Sequence, residues 1–178
     1  GGRTLYCDFP FQTKRDFPPK AGGGFDYSVE HVVPRAALKR QLCLFGVLCG
    51  GRFNRAVSDL HNLWPEIGRA NSARNDSPFG EIVGANDPRD LDSCPSFETG
   101  PGPAGRQMEP RASVKGDVAR SVLYMACTYG IAFSDQGLML RWHRADPPDA
   151  MEADRNREIE MLQGRRNEYI DGRDSCSR

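Results

Sequence analysis

The chain has 178 residues, 24 basic and 24 acidic side chains, a formal net charge of zero and six cysteines. That length suits one domain and can bury a real core, while the neutral balance excludes a global basic field, so any polyanion contact must rest on a local patch. No apolar run is long enough to span a membrane, no signal peptide is visible, and a chain that starts Gly-Gly without Met would not display one.

Residues 5–24 are rich in Pro, Gly and aromatics and read as irregular. Residues 26–33 form the best strand near the amino end, and Pro34 ends it, because proline cannot continue a central strand and restrains its predecessor. Residues 36–48 predict a short helix followed by a loop. From Ser58 the pattern turns helical, with Pro65 as a first helical residue and Glu66 in a first turn that favours a negative charge. Ile67, Ala70 and Asn71 then share a face, with Arg74 one turn beyond. Residues 75–113 are crowded with Gly, Pro, Ser and Asp; a short strand is expected at 79–83 and a long loop over 94–110. Residues 115–129 predict a helix with Val118, Val122, Met125, Ala126 and Tyr129 as its apolar stripe and Gly130 as its stop. Ser134 caps a second helix running to Arg144, with Leu138 and Trp142 inside. Pro147-Pro148-Asp149 opens a third that ends at Gly164, with Met151, Ile159 and Leu162 on its apolar side. The expected fold is α+β: a mostly helical single domain over 1–178 with a small sheet.

An even number of cysteines without a Cys-x-x-Cys knuckle points to disulfides and an oxidising compartment rather than zinc. Cys43 and Cys49 flank an apolar loop, and Cys7 and Cys94 lie in turn-rich sequence, so at least one disulfide is expected, Cys43–Cys49 or Cys7–Cys94. Cys127 lies in an apolar helix and reads as a buried free thiol. Cys176 sits in a polar tail. Only Lys14, Lys20, Lys39 and Lys115 are lysines. Arginine suits phosphate through its planar fork, although a coding preference for arginine explains the excess equally well.

Chemistry concentrates at Glu30-His31-Val32-Val33-Pro34 and at Asp59 to Asn71. A hydrolase that activates water beside an oxygen-coordinated cation needs a carboxylate, a neutral oxygen and a base. Glu30 is a candidate carboxylate, His31 a candidate base, and Asn71 an amide on the helical stretch that follows. Neighbouring strand residues point to opposite faces, so Glu30 and His31 share a site only where the strand ends. Taken singly, each has a bland reading: a histidine ending a strand, an exposed helix amide, a solvated arginine.

These stretches resemble the bacterial endonuclease I family of secreted or periplasmic nucleases, within the ββα-metal (His-Me finger) group. Gly50-Gly51-Arg52 matches an element between the two motifs. Lys115-Gly116-Asp117-Val118-Ala119-Arg120 with Leu123-Tyr124-Met125 resembles the family's Gly-Asp-Ile-Ala-Arg…Tyr-Met helix. Trp142, Asp146-Pro147-Pro148, Glu152, Arg155-Asn156, Ile159 and Gln163 to Asn167 resemble its carboxy-terminal signature. The resemblance implies a ββα-metal motif within residues 26–75 and a Mg²⁺-dependent, non-specific endonuclease acting on the backbone of DNA, with RNA as an open second substrate. It implies His31 as general base, Glu30 and Asn71 as ligands of Mg²⁺ (with Mn²⁺ or Ca²⁺ as alternatives), Arg52 as phosphate clamp and Arg74 as a second phosphate contact. A monomer with no membrane partner is expected. The rival readings are a nuclease toxin with an inhibitor protein and a catalytically silent nucleic-acid-binding module. His61 and Asn62 read as structural, His143 as a surface residue, and Arg120 with Asp117 as a supporting pair. Two departures stand out: Asn167-Glu168 replaces the family's Asn-Pro, and the loop before Arg52 is short and apolar.

Overall fold

The computed structural model describes residues 1–82, 94, 97–103 and 105–175. In chain order the elements are β1 (Gly2–Arg3), β2 (Pro10–Phe11), β3 (Tyr27–His31), α1 (Arg35–Leu42), β4 (Cys43–Leu44), β5 (Leu48–Cys49), α2 (Gly51–Ser58), β6 (Leu63–Ile67), α3 (Gly68–Arg74), β7 (Glu98–Gly102), β8 (Gly105–Glu109), α4 (Lys115–Tyr129), α5 (Gln136–Ala145) and α6 (Ala150–Gln163). Six helices and four two-stranded sheets among the described residues make the α+β fold that the sequence predicts. The chain forms two compact units, residues 1–30 with 64–111, and residues 31–63 with 112 onward.

In the first unit β3 pairs with β6 and β7 with β8. Side chains alternate across β3: Val29 is exposed and Glu30 buried. The β6 segment corrects the expectation of a helix starting at Pro65. Trp64 and Glu66 point inward with a period of two, a strand signal hidden by the acidic residue at an inward position. Pro65 is tolerated because a two-stranded sheet leaves edges where its missing N–H costs nothing. The helix begins at Gly68 instead. Gly68 N donates to Asp26 O at 2.8 Å, and a Cβ on Gly68 would lie 2.5 Å from Asp26 Oδ1, so a larger residue there would have to displace the Asp26 carboxylate. Asn75 closes α3 at φ +53°, a conformation asparagine tolerates better than most residues. The β7–β8 hairpin, with Thr99 opposite Met108, replaces part of the loop expected over 94–110; its Gly-Pro content masks the strand pattern. Phe79 makes a single bridge to Met108 rather than a strand, and Val83 lies outside the described residues. Leu5, Tyr6, Trp64, Ile67, Phe97 and Met108 fill this unit's core.

In the second unit α4 matches its predicted bounds, with Gly130 in the left-handed conformation that ends it. Val118, Val122, Met125 and Tyr129 are buried. Asp135, not Ser134, caps α5 by accepting from Leu138 N, and Asp149 caps α6. Of the expected apolar side of α6 only Ile159 is buried; Met151 and Leu162 are 41% and 75% exposed. His143 is buried rather than superficial: it follows Trp142 on the inner side of α5, meets Tyr169 edge-on, and lies 3.2 Å from an Asp174 oxygen.

Arg120 ties three segments of this unit together. Its guanidinium bonds both oxygens of Glu152 on α6, the Asp146 carbonyl at 2.6 Å and Asp117 at 3.1 Å. Burial and the nearby Glu152 carboxylate still push Asp117 up from the usual carboxylate range. A Cβ on Gly116 would lie 2.0 Å from Asp146 O, so glycine is required where α4 meets the Asp146-Pro147-Pro148 turn. Asn156 and Asn167 continue the network: Asn167 N donates to Asn156 Oδ1 at 2.8 Å and Asn167 Nδ2 to Arg120 O at 3.0 Å.

Of the two candidate pairs, where at least one disulfide was expected, both Cys7–Cys94 and Cys43–Cys49 are bonded. Cys127 is disulfide-bonded, which corrects the free-thiol expectation: the residue is only half buried, so its helix does not seal it from the surface. Cys176 lies outside the described residues. The Cys43–Cys49 bond clamps the β4–β5 hairpin, whose Leu44, Phe45, Val47 and Leu48 are all exposed.

Two predictions follow from this packing. Cys7–Cys94 spans 87 residues and Cys43–Cys49 six; loop-closure entropy then assigns about 4.6 kcal/mol to the first and about 2.2 kcal/mol to the second. Thermal unfolding of C7S/C94S should therefore fall below that of C43S/C49S, and the reverse order would contradict the entropic account. The second concerns Glu66 in β6. Burial pushes its carboxyl up from 4.5 to about 7, against hydrogen bonds from Tyr6 N, Ile67 N and Thr4. The folded protein holds a proton that the unfolded chain has released between those values. The resulting stability is whole below pH 4.5 and is lost as pH rises through about 7. Denaturant titrations across that window should show the decline, and Glu66→Gln should flatten it.

Candidate functional site

In the first unit, α3 lies over β3 in a fixed register. Asn71 Nδ2 donates to Ser28 Oγ at 2.8 Å and to Val29 O at 3.0 Å. One turn along the helix, Arg74 Nη1 meets Glu30 Oε1 at 2.9 Å. Ser28 and Glu30 are two apart on the strand and share a face; Asn71 and Arg74 are three apart on the helix and share theirs. The structure thus brings Asn71 and Glu30 onto the same helix–strand contact. The amide is held through its nitrogen, and Asn71 Oδ1 accepts no hydrogen bond among the described residues.

Glu30 is 1% exposed and is anchored from two sides, by Arg74 and by Tyr6 Oη at 2.7 Å. Burial, with the same carboxylate beside it, raises the Tyr6 phenol well above its ordinary range, so it stays a donor. Arg74 is placed otherwise than a phosphate contact requires. It is 1% exposed, its guanidinium packs 4.6 Å from the centre of the Phe79 ring, and its charge answers Glu30. A guanidinium enclosed in this way presents no fork to a nucleic-acid backbone, so Arg74 positions the acid instead.

In the second unit, His31 ends β3 and its Nε2 lies 3.0 Å from Val57 O in α2. A carbonyl can only accept, so Nε2 carries the hydrogen and Nδ1 is the nitrogen with a lone pair. The same helix carries Arg52 at its start. One Nη of Arg52 donates to Tyr129 O, the last carbonyl of α4, an interaction that also caps that helix. The sequence offered no helix here because Gly50-Gly51 opens it and glycine disfavours helix; the buried pair Phe53 and Ala56 supplies its inner face.

Arg52 lines a cleft of about 490 Å³ with Arg55, Asp59, Tyr124, Tyr129 and Arg165 among its walls. Asp59 is its buried acid. Asp59 Oδ2 accepts from the hydroxyls of Tyr124 at 2.9 Å and Tyr129 at 2.8 Å, and Oδ1 accepts from Gln163 Nε2 at 2.9 Å and His61 N at 3.0 Å. Burial, with Asp59 beside them, raises both phenols far above their ordinary value, so they remain protonated donors. His61 is buried, and its Nε2 donates to Arg165 O at 3.1 Å. That agrees with a structural role and excludes it from surface chemistry. Arg55 escaped the sequence reading, and Arg165 entered it only within the carboxy-terminal signature, without a role. The three-residue step from Arg52 to Arg55 would have signalled the first, had the segment been recognised as helix.

Among the described residues no three His, Cys, Asp or Glu side chains gather as a metal cluster, and no helix is long and apolar enough to cross a membrane. Residues 6–173 match the Endonuclease I family. An extracellular deoxyribonuclease of Aeromonas hydrophila is 32% identical over 94% of this chain and 81% of its own length. A periplasmic deoxyribonuclease of the same organism is 34% identical over 80% of this chain and 62% of its own. An extracellular ribonuclease of Bacillus amyloliquefaciens is 34% identical over 68% of this chain and 47% of its own. The chain thus spans four-fifths of the first relative and less than two thirds of the other two. The family match takes in β3, α2, α3 and the Arg120 network alike, and it makes this chain a member of the endonuclease I family of nucleases.

Proposed function

We propose that the chain is a secreted or periplasmic endonuclease that hydrolyses phosphodiester bonds in DNA with little regard to sequence, using a bound divalent cation. Likeness to extracellular and periplasmic deoxyribonucleases supports both the substrate and the compartment, and five disulfide-bonded cysteines among the described residues suit an oxidising environment. Likeness to an extracellular ribonuclease supports RNA as a second substrate.

The observation that carries the reading is the Nε2–H bond of His31 to Val57 O. It selects the tautomer in which Nδ1 can take a proton from water, which is the task of a general base near neutral pH. Glu30 and Asn71 are the proposed holders of the cation. Their chemistry fits a hard ion: a carboxylate oxygen and an amide oxygen, the latter with its nitrogen clasped to β3 and its oxygen left to face a ligand. Mg²⁺ is the ion expected, with Mn²⁺ or Ca²⁺ as substitutes. A cation held there would stabilise charge on the scissile phosphate and on the leaving oxygen. Arg74 and Tyr6 fix the Glu30 carboxylate for that role. Arg52 is the proposed clamp on the phosphate, with one Nη committed to Tyr129 O.

The test is cleavage of plasmid DNA and of RNA with Mg²⁺ and with a chelator. Cleavage should stop in chelator. His31→Ala should lose roughly 10²- to 10⁴-fold in kcat while DNA binding stays nearly intact, because a base acts in the transition state. Full-rate cleavage by that variant removes His31 as the base. Arg52→Ala should weaken binding to all sequences alike, and a strong preference for one short sequence would contradict backbone recognition.

A further inference from the structure

The cleft of the second unit holds two arginines that the assigned roles do not use. Arg55 stands three residues beyond Arg52 on α2, on the same side of the helix. Arg165 enters from the segment after α6, its carbonyl held by the buried His61. Both are exposed, both line the cleft, and neither forms an ion pair among the described residues.

The rest of the lining explains what these two can bind. Among the described residues Asp59 is the only carboxylate that lines the cleft, and its four hydrogen bonds come from Tyr124, Tyr129, Gln163 and His61 rather than from an arginine. Three guanidiniums against one saturated carboxylate leave the cleft positive. The neutral donors are turned to protein as well. The two phenols and Gln163 give their hydrogens to Asp59, Ser58 Oγ bonds Asn54 O at 3.0 Å, and Thr128 bonds Tyr124. The donors left for a ligand are therefore guanidinium forks, the geometry that matches the paired oxygens of a phosphate. At about 490 Å³ the space is of the size that holds a small-molecule-sized group. The cleft also adjoins the proposed base through one short helix, since α2 carries Arg52, Arg55 and the Val57 carbonyl that holds His31.

We propose that Arg55 and Arg165 form a second phosphate subsite, which grips a phosphate of the nucleic-acid strand other than the one being cut. The subsite rests on the endonuclease reading and adds to it a fixed register between the strand and His31. It explains how a chain of zero net charge binds a polyanion: three guanidiniums gather at one cleft whose buried carboxylate is hydrogen-bonded by phenols and amides rather than paired with an arginine.

The experiment uses a series of short DNA substrates, each with one phosphate replaced by an uncharged methylphosphonate. For the unmodified protein, one neutral linkage away from the cut should raise KM by about tenfold or more, the loss expected for charge-assisted hydrogen bonds, with kcat within about twofold. In Arg55→Ala/Arg165→Ala, KM should already be raised to that degree, and the same neutral linkage should add less than about twofold. In a His31→Ala background, which separates binding from cleavage, the double substitution should also reduce the salt slope of duplex binding by about 0.9, one phosphate's share. Arg165→Ala alone, at an exposed position outside any helix, should give the same pattern in part and guards against misfolding of the double variant. If the double variant keeps both the normal KM and the full methylphosphonate penalty, the subsite is overturned while the nuclease reading stands. If the unmodified protein cleaves none of the substrates, the nuclease reading itself fails.

Discussion

A charge taken out of water must be answered by another, and in each unit one buried arginine sets where the surrounding segments go. In the second unit it is Arg120, with no exposure at all. Its five donors draw in Asp117 from the same helix, the Asp146 carbonyl from the turn before α6, and both oxygens of Glu152. Removing one partner of such a set typically costs about 3 to 5 kcal/mol, because the remaining charge is left uncompensated. Gly116, Asp146-Pro147-Pro148, Glu152, Asn156 and Asn167 all follow from this one requirement. The glycine lets the Asp146 carbonyl approach, the prolines turn the chain into α6, and the asparagines close the far side of the network. These residues resemble family signatures, yet their work is to enclose a guanidinium.

The first unit solves the same problem with Arg74 and Glu30. The consequence is functional, because Glu30 is the proposed cation ligand. A carboxylate already held by an arginine and a phenol has little freedom left to lose when it binds an ion, so its position is prepared in advance. The adjacent positive charge also weakens its attraction for a free cation. Two protein oxygens with a guanidinium alongside make a poor site alone, and the missing ligands and negative charge would come from the phosphate of the substrate. On this reading the ion and the nucleic acid bind in support of each other, since each supplies charge that the other needs.

Much of this was legible in the sequence, and the exceptions have physical causes. The bounds of α4 were readable because apolar periodicity and a closing glycine agree there, and those of α6 because an aspartate cap and a closing glycine frame it. Cys7–Cys94 and Cys43–Cys49 were the two candidates for at least one expected disulfide, and both form. Strand β6 was missed because Glu66, at an inward position and accepting from backbone N–H groups, interrupts the apolar alternation that marks a strand. The β7–β8 hairpin was missed because Gly100, Pro101 and Gly102 lie inside it. Arg74 and His143 were misjudged as superficial for a common reason: polarity argues for exposure unless a partner is known, and their partners, Glu30 and Tyr169, lie far off in sequence. Asn71 and Glu30 were paired in the sequence reading on resemblance, and the helix–strand register gives that pairing a spatial basis without showing an ion.

The formal charge of zero was read as evidence against a basic field, and for the chain as a whole that inference holds. It missed how charges are distributed by pairing. Many acidic residues are matched to arginines: Asp26 to Arg69, Asp117 and Glu152 to Arg120, Asp171 and Glu160 to Arg166. Asp59 breaks this pattern. It is satisfied by hydroxyls, an amide and a backbone N–H, so it fixes the floor of the cleft without forming an ion pair with the arginines on its rim. A neutral protein can therefore present a positive surface wherever a buried carboxylate takes neutral partners, and net charge counts the residues without seeing which of them have been matched.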